Sequence, residues 1–89
     1  MDIQEQVRKF IGEELAAPPE ALGADYQLIT NHVVDSLGLL QIVSFLESEF
    51  GVEVQDEEIV PENLDSVSRV VRFVEHKRRA AASDLARAS

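Results

Sequence analysis

Apolar residues recur at helical spacing in three stretches of the chain. The first, Ile3, Val7, Phe10, Ile11 and Leu15, follows the i, i+4, i+7, i+8 pattern of an amphipathic helix. Its end is set by Ala16-Ala17-Pro18-Pro19, because proline cannot continue the ladder and restricts the residue before it. The spacing predicts a helix over about 3–16. The second stretch opens on Asp35, a good N-cap, followed by Ser36 and Leu37 and then Leu39, Leu40, Ile42, Val43, Phe45, Leu46 and Phe50. Gly51 is the expected C-cap. This stripe is wider than one helix face needs, which predicts a central helix touching neighbours on two sides. Leu40, Val43, Leu46 and Phe50 are expected to pack against Phe10, Ile11, Val71 and Val74. The third stretch starts near Asp65 or Ser66 and carries Val67, Val70, Val71, Phe73 and Val74. It is expected to end around Arg78–Arg79, where cations suit the helix dipole.

Between these stretches the pattern breaks. From Pro18 to Val34 no period holds, although Leu22, Tyr26, Leu28, Ile29, Val33 and Val34 can be pinned on a core. Loops this long in compact domains are functional or packed by their own side chains. Val52-Glu53-Val54 alternates for too few residues to make a useful strand. Asp56 is expected to cap a short turn over Glu57–Val60 that Pro61 halts. The Ala/Ser/Arg-rich segment 80–89 is expected to fray, leaving one domain over 1–79. The resulting fold class is all-α: a small bundle of three substantial helices and one short one, with a long loop between helices 1 and 2.

Composition narrows the function. Seventeen acids against eight bases give a net charge of −9, which disfavours nucleic acid and anionic membranes as partners. No Lys or Arg lies between Phe10 and Ser68, a stretch that holds thirteen carboxylates. That section is either a solubility surface or one presented to basic partners. With no cysteine, disulfides, thiolate metal sites and cysteine nucleophiles are excluded. His32 and His76 have no partner at metal-ligand spacing, and 56–65 does not fit a calcium loop. No apolar run approaches the ~18 residues of a membrane span, and Met1-Asp2-Ile3-Gln4-Glu5 does not read as a signal sequence. A soluble, cytoplasmic monomer is expected. Ser36 has no histidine or lysine placed beside it, so intrinsic catalysis is not expected.

Ser36 nevertheless stands out. A serine in the first turn of the most apolar helix lies near backbone N–H groups that lack intrahelical partners, at the positive end of the dipole. A phosphate attached there is electrostatically favoured. Asp35 is its cap and is also placed to help position a modifying enzyme and its metal.

The run Val33-Val34-Asp35-Ser36-Leu37-Gly38, the apolar helix, and then Leu46-Glu47-Ser48-Glu49-Phe50-Gly51-Val52-Glu53-Val54 together resemble the acyl and peptidyl carrier protein family. The likeness covers about Ile3 to Val74 and implies a four-helix bundle of the acyl carrier type. It implies that Ser36 bears a covalent 4′-phosphopantetheine arm, installed by a phosphopantetheinyl transferase. The thiol of the arm would hold an acyl or aminoacyl group supplied by a loading enzyme and used by downstream biosynthetic enzymes with basic surfaces. By the same likeness, helix 2 and the acidic turn after it form the docking surface: Glu47, Glu53, Asp56, Glu57 and Glu58 for ion pairs, Leu37 and Leu40 for apolar contact beside the arm. Typical fatty-acid carriers have acidic side chains where this chain has Gly38 and Gln41. That departure resembles stand-alone carriers of amino acids or unusual extender units in secondary metabolism. The alternatives are a fatty-acid synthesis carrier and, in another class, an unmodified acidic interaction module.

Overall fold

The computed structural model describes residues 2–88, with side chains described as far as residue 81. Four α-helices follow one another: α1 (Ile3–Glu13), α2 (Ser36–Phe50), α3 (Pro61–Leu64) and α4 (Val67–Ala88). Two 3₁₀ turns, Pro19–Leu22 and Asp56–Glu58, lie in the connections. The expected all-α bundle, with a long first loop and a short third helix, is the observed architecture.

α1 is capped by Asp2, whose carboxylate accepts from the Glu5 N–H at 2.8 Å. It stops at Glu13 rather than near residue 16. The reason is Ala16, whose backbone is left-handed at φ 53°, so that the Ala17 N–H turns back to the Ile11 carbonyl at 3.2 Å. α2 spans the expected residues and ends on Gly51, left-handed at φ 67°, where a Cβ would be strained.

Further along, two expectations are corrected. The turn at Asp56–Glu58 is capped by Gln55 rather than by Asp56, with the Gln55 N–H donating to Glu58 Oε1 at 2.9 Å. Pro61 does not halt a helix but starts α3, because its missing N–H costs nothing at the first helical position. α4 begins after Ser66, whose Oγ accepts from the Arg69 N–H at 3.2 Å. It continues past Arg79 to Ala88. The apolar period ends at Val74, and the alanines and arginines beyond it are strong helix formers that favour continuing the ladder.

Val7, Ile11, Leu28, Val34, Ile42, Val43, Leu46, Leu64, Val67, Val70 and Val74 form the buried centre. α4 packs closely on two helices, α1 and α3. Its contact face is valine, which lets backbones approach. α2 meets α1 through larger groups: the Phe10 and Phe45 rings stack at 4.3 Å, and Phe50 meets Phe45 edge-on at 5.7 Å. Leu40 leaves the expected core list, because it is 57% exposed. Val43, Leu46, Ile11 and Val74 are buried as expected, with Phe10, Phe50 and Val71 half-buried around them.

Candidate functional site

The start of α2 is built by its own cap. Asp35 Oδ1 accepts from the Gly38 N–H at 2.9 Å, and its carbonyl accepts from the Leu39 N–H at 2.9 Å. The N–H groups of Ser36 and Leu37 find no partner among the described residues. Ser36 is exposed and its hydroxyl makes no hydrogen bond. Gly38 is buried one turn in, and a Cβ there would meet Val34 Cγ1 at 3.0 Å. The glycine that weakens the helix intrinsically thus allows a close approach between α2 and the loop that leads into it.

That loop is fixed from the far side of the sequence. Asp65, between α3 and α4, is buried, and its Oδ1 accepts from the N–H groups of Ile29 at 2.7 Å and Thr30 at 3.3 Å. Its Oδ2 accepts from Thr30 Oγ1 at 3.1 Å, and its carbonyl accepts from the Leu28 N–H at 2.6 Å. The Leu28 carbonyl in turn accepts from both Val33 and Val34 N–H groups, at 2.9 and 3.1 Å. A continuous chain of bonds therefore runs from the α3–α4 junction to the residue preceding Asp35. Sequence reasoning did not find Asp65, which it read only as a possible helix start.

A family profile described as "Phosphopantetheine attachment site" matches residues 5–74. The chain is 36% identical to an acyl carrier protein of Campylobacter hominis over 76 residues, 85% of this chain and 94% of that one. It is 37% identical over 73 residues to an acyl carrier protein of Akkermansia muciniphila, 82% of this chain and 89% of that one. One from Thermosynechococcus vestitus is 33% identical over 76 residues, 85% of this chain and 91% of that one.

The chain belongs to the acyl carrier protein family. Its prosthetic group is covalently attached 4′-phosphopantetheine, which supplies the thiol that carries an acyl group as a thioester. The start of α2 fits such a group, offering an exposed hydroxyl beside two unpartnered N–H donors at a positive helix end. Among the described residues, no cluster of three or more His, Cys, Asp or Glu could hold a metal, and no helix is long and apolar enough to cross a membrane.

The remaining residues expected to serve this carrier divide into two zones. Among the described residues, Leu37 and Leu40, 65% and 57% exposed, are the exposed large hydrophobic residues, and both lie in the first half of α2. Glu47, Glu53, Asp56 and Glu57 are exposed at its far end and beyond, with Glu58 half-buried there. The structure commits part of this charge internally. Glu47 Oε2 accepts from the Val54 N–H at 3.1 Å, and Glu58 Oε1 pairs with Lys77 Nζ at 2.8 Å. Asp56 and Glu57 make no side-chain bond.

The Lys77 ammonium, with the Gln55 N–H behind it, holds the Glu58 carboxyl below the ordinary glutamate value of 4.5. A carboxyl lowered by folding stabilises the folded state above its unfolded value and loses that contribution as pH falls through its folded value. Glu58→Gln should therefore cost about 0.2–1 kcal/mol at neutral pH. It should also reduce the loss of stability between pH 4.5 and the acid side. Urea melts of both proteins at neutral and acid pH check this; an equal gap at the two pH values would contradict it.

Proposed function

We propose that Ser36 bears the 4′-phosphopantetheine arm and that the protein is a discrete, non-enzymatic carrier of an acyl thioester in the cytoplasm. The observation that carries the assignment is the state of Ser36: exposed, unpartnered and first in α2, within the matched segment. Other hydroxyls in the match are less suited. Thr30 donates to Asp65, Ser66 is buried and caps α4, and Ser44 and Ser48 lie inside α2, away from free N–H groups; Ser68, in the first turn of α4, is half-buried with its N–H given to the Ala24 carbonyl, and Tyr26 is a half-buried phenol. Incubation with coenzyme A and a broad-specificity phosphopantetheinyl transferase, followed by peptide mapping, should place one arm on the Ser36 peptide. An arm on any other peptide refutes the assignment.

The finer reading is a dedicated carrier of secondary metabolism, serving an unusual extender unit or an amino acid. It is supported by α2 having no carboxylate between Ser36 and Glu47, where fatty-acid carriers resemble one another in having acids. That the similar proteins of Campylobacter hominis and Akkermansia muciniphila are acyl carrier proteins favours an acyl over an aminoacyl cargo. Transfer of malonyl units onto the arm by fatty-acid synthesis enzymes, at rates equal to those for their own carrier, would favour the general fatty-acid role instead.

Docking follows the same division of α2. Contact beside the arm is apolar, through Leu37 and Leu40, and charge pairing is confined to the far end, through Asp56 and Glu57 with Glu47, Glu53 and Glu58. Leu37→Ala should raise the KM for the loading enzyme by about tenfold, since it removes apolar contact worth ~1–2 kcal/mol. Glu57→Gln should slow association modestly, by ~0.2–1 kcal/mol, and the difference should vanish in high salt. Loading kinetics across a salt series check both. Indifference to salt and to Leu37 would make the acidic section a solubility surface, as in an unmodified interaction module.

A further inference from the structure

The positive charge of this acidic chain is gathered in one place. Six of its eight Lys and Arg lie in 69–87. Two of them are engaged within the domain: Lys77 pairs with Glu58, and Arg78 lines a groove with Asp2, Glu49 and Glu75. Arg69, Arg72 and Arg79 are exposed and form no ion pair among the described residues. Arg69 Nη1 donates to the uncharged Glu62 carbonyl at 3.3 Å, and Glu75, one turn from both Arg72 and Arg79, pairs with neither. With His76, also exposed, the three arginines stand at i, i+3, i+7 and i+10 along α4. That places them on the side turned away from the buried Val67, Val70 and Val74. They form a basic stripe about 15 Å long. None of its residues lies on α2 or in the turn that follows α2.

We propose that this face of α4 is a second docking surface, and that its occupant is an acidic helix of a partner protein. Charge complementarity selects a carboxylate-bearing partner. The rest of the chain selects protein over other polyanions. Nucleic acid and anionic lipid are negative over their whole surface, and the thirteen carboxylates between Phe10 and Ser68 repel such an extended array beyond the stripe. A helix lying in a bilayer also needs an apolar row to enter it, and the exposed side of α4 offers nothing more apolar than Ala80 and Ala81. A protein helix, by contrast, presents its carboxylates as a narrow row with the spacing of the stripe. The contact uses no residue of α2, so an acidic partner can hold the carrier while other enzymes work at the start of α2. The proposal does not depend on which hydroxyl bears the arm.

The test titrates ¹⁵N-labelled protein at low salt with an alanine-based helical peptide bearing glutamate at i, i+3, i+7 and i+10. Amide signals should move along 69–79 but not at Arg8 and Lys9, the exposed cations of α1, and high salt should abolish the movement. Arg72→Glu combined with Arg79→Glu should weaken binding by about tenfold or more. If circular dichroism shows that this pair unfolds the protein, Arg72→Gln with Arg79→Gln takes its place. An unchanged affinity in the folded variant overturns the proposal, as does equal movement at Arg8 and Lys9 or none anywhere. A short DNA duplex or phosphatidylglycerol vesicles moving the same amides at lower concentration than the peptide would also overturn it. Movement of 69–79 with protein concentration alone would give the face to a second copy of this chain and overturn it likewise.

Discussion

Ser36→Ala should fold as well as the parent protein and take up no arm at all. The hydroxyl is exposed and makes no bond that the fold uses, and alanine is a better helix former than serine. Its effect on stability should stay within about 0.5 kcal/mol, the usual range for surface substitutions. The Asp35 cap is unaffected, because its partner is the Gly38 N–H rather than Ser36. What is lost is the oxygen to which the proposed attachment joins the phosphate. Intact mass after incubation with coenzyme A and transferase should show the parent gaining one arm and the variant none, with superimposable thermal melts. A variant that still gains mass would move the site elsewhere; one that fails to melt cooperatively would make the loss uninformative about Oγ, and Ser36→Gly would then replace it.

Val43→Asp should unfold the protein, whereas Leu40→Asp should not. Val43 is 8% exposed and sits among Ile42 and Leu46, which are 1% and 0% exposed. The buried cluster it belongs to is made of apolar side chains. An unpaired carboxylate there costs several kcal/mol, comparable to the ~4–13 kcal/mol expected for the stability of a domain of this size. Leu40, three residues earlier, is 57% exposed, and a carboxylate there stays hydrated. Circular dichroism of the pair gives the answer. A folded Val43→Asp protein, or an unfolded Leu40→Asp one, would reverse the inward face of α2.

The contrast between those two positions marks how much was legible in the sequence. Helix α2, its Asp35 cap and its Gly51 stop are local signals, each acting within one turn, and they placed Ser36 correctly at a helix start. The outward face was harder. Leu37 and Leu40 continue the apolar pattern of Val43 and Leu46, so periodicity alone assigned Leu40 inward. Hydrophobic period reports that a face is apolar, not whether a partner outside the chain covers part of it. The close packing of α4 was not legible: its small valines let it approach both α1 and α3, a matter of side-chain size that the apolar period does not report. Pro61 was read as a stop because its effect depends on which side the helix lies. The bonds from Asp65 to Ile29 and Thr30 join residues 36 and 35 positions apart, and no spacing rule reaches that far.

Those same bonds bear on the order in which the protein becomes competent during synthesis. A nascent chain that has emerged only as far as α2 already contains Ser36 and its cap, but Asp65, whose carbonyl and carboxylate tie Leu28–Thr30 in place, has not yet been made. Closing that contact across the intervening residues is a late event with a loop-entropy cost. The start of α2 is thus fully tied to the rest of the domain only when the α3–α4 junction folds back on the loop, and on the proposed attachment at Ser36 a transferase that needs that arrangement would modify a finished carrier and pass over an unfinished one.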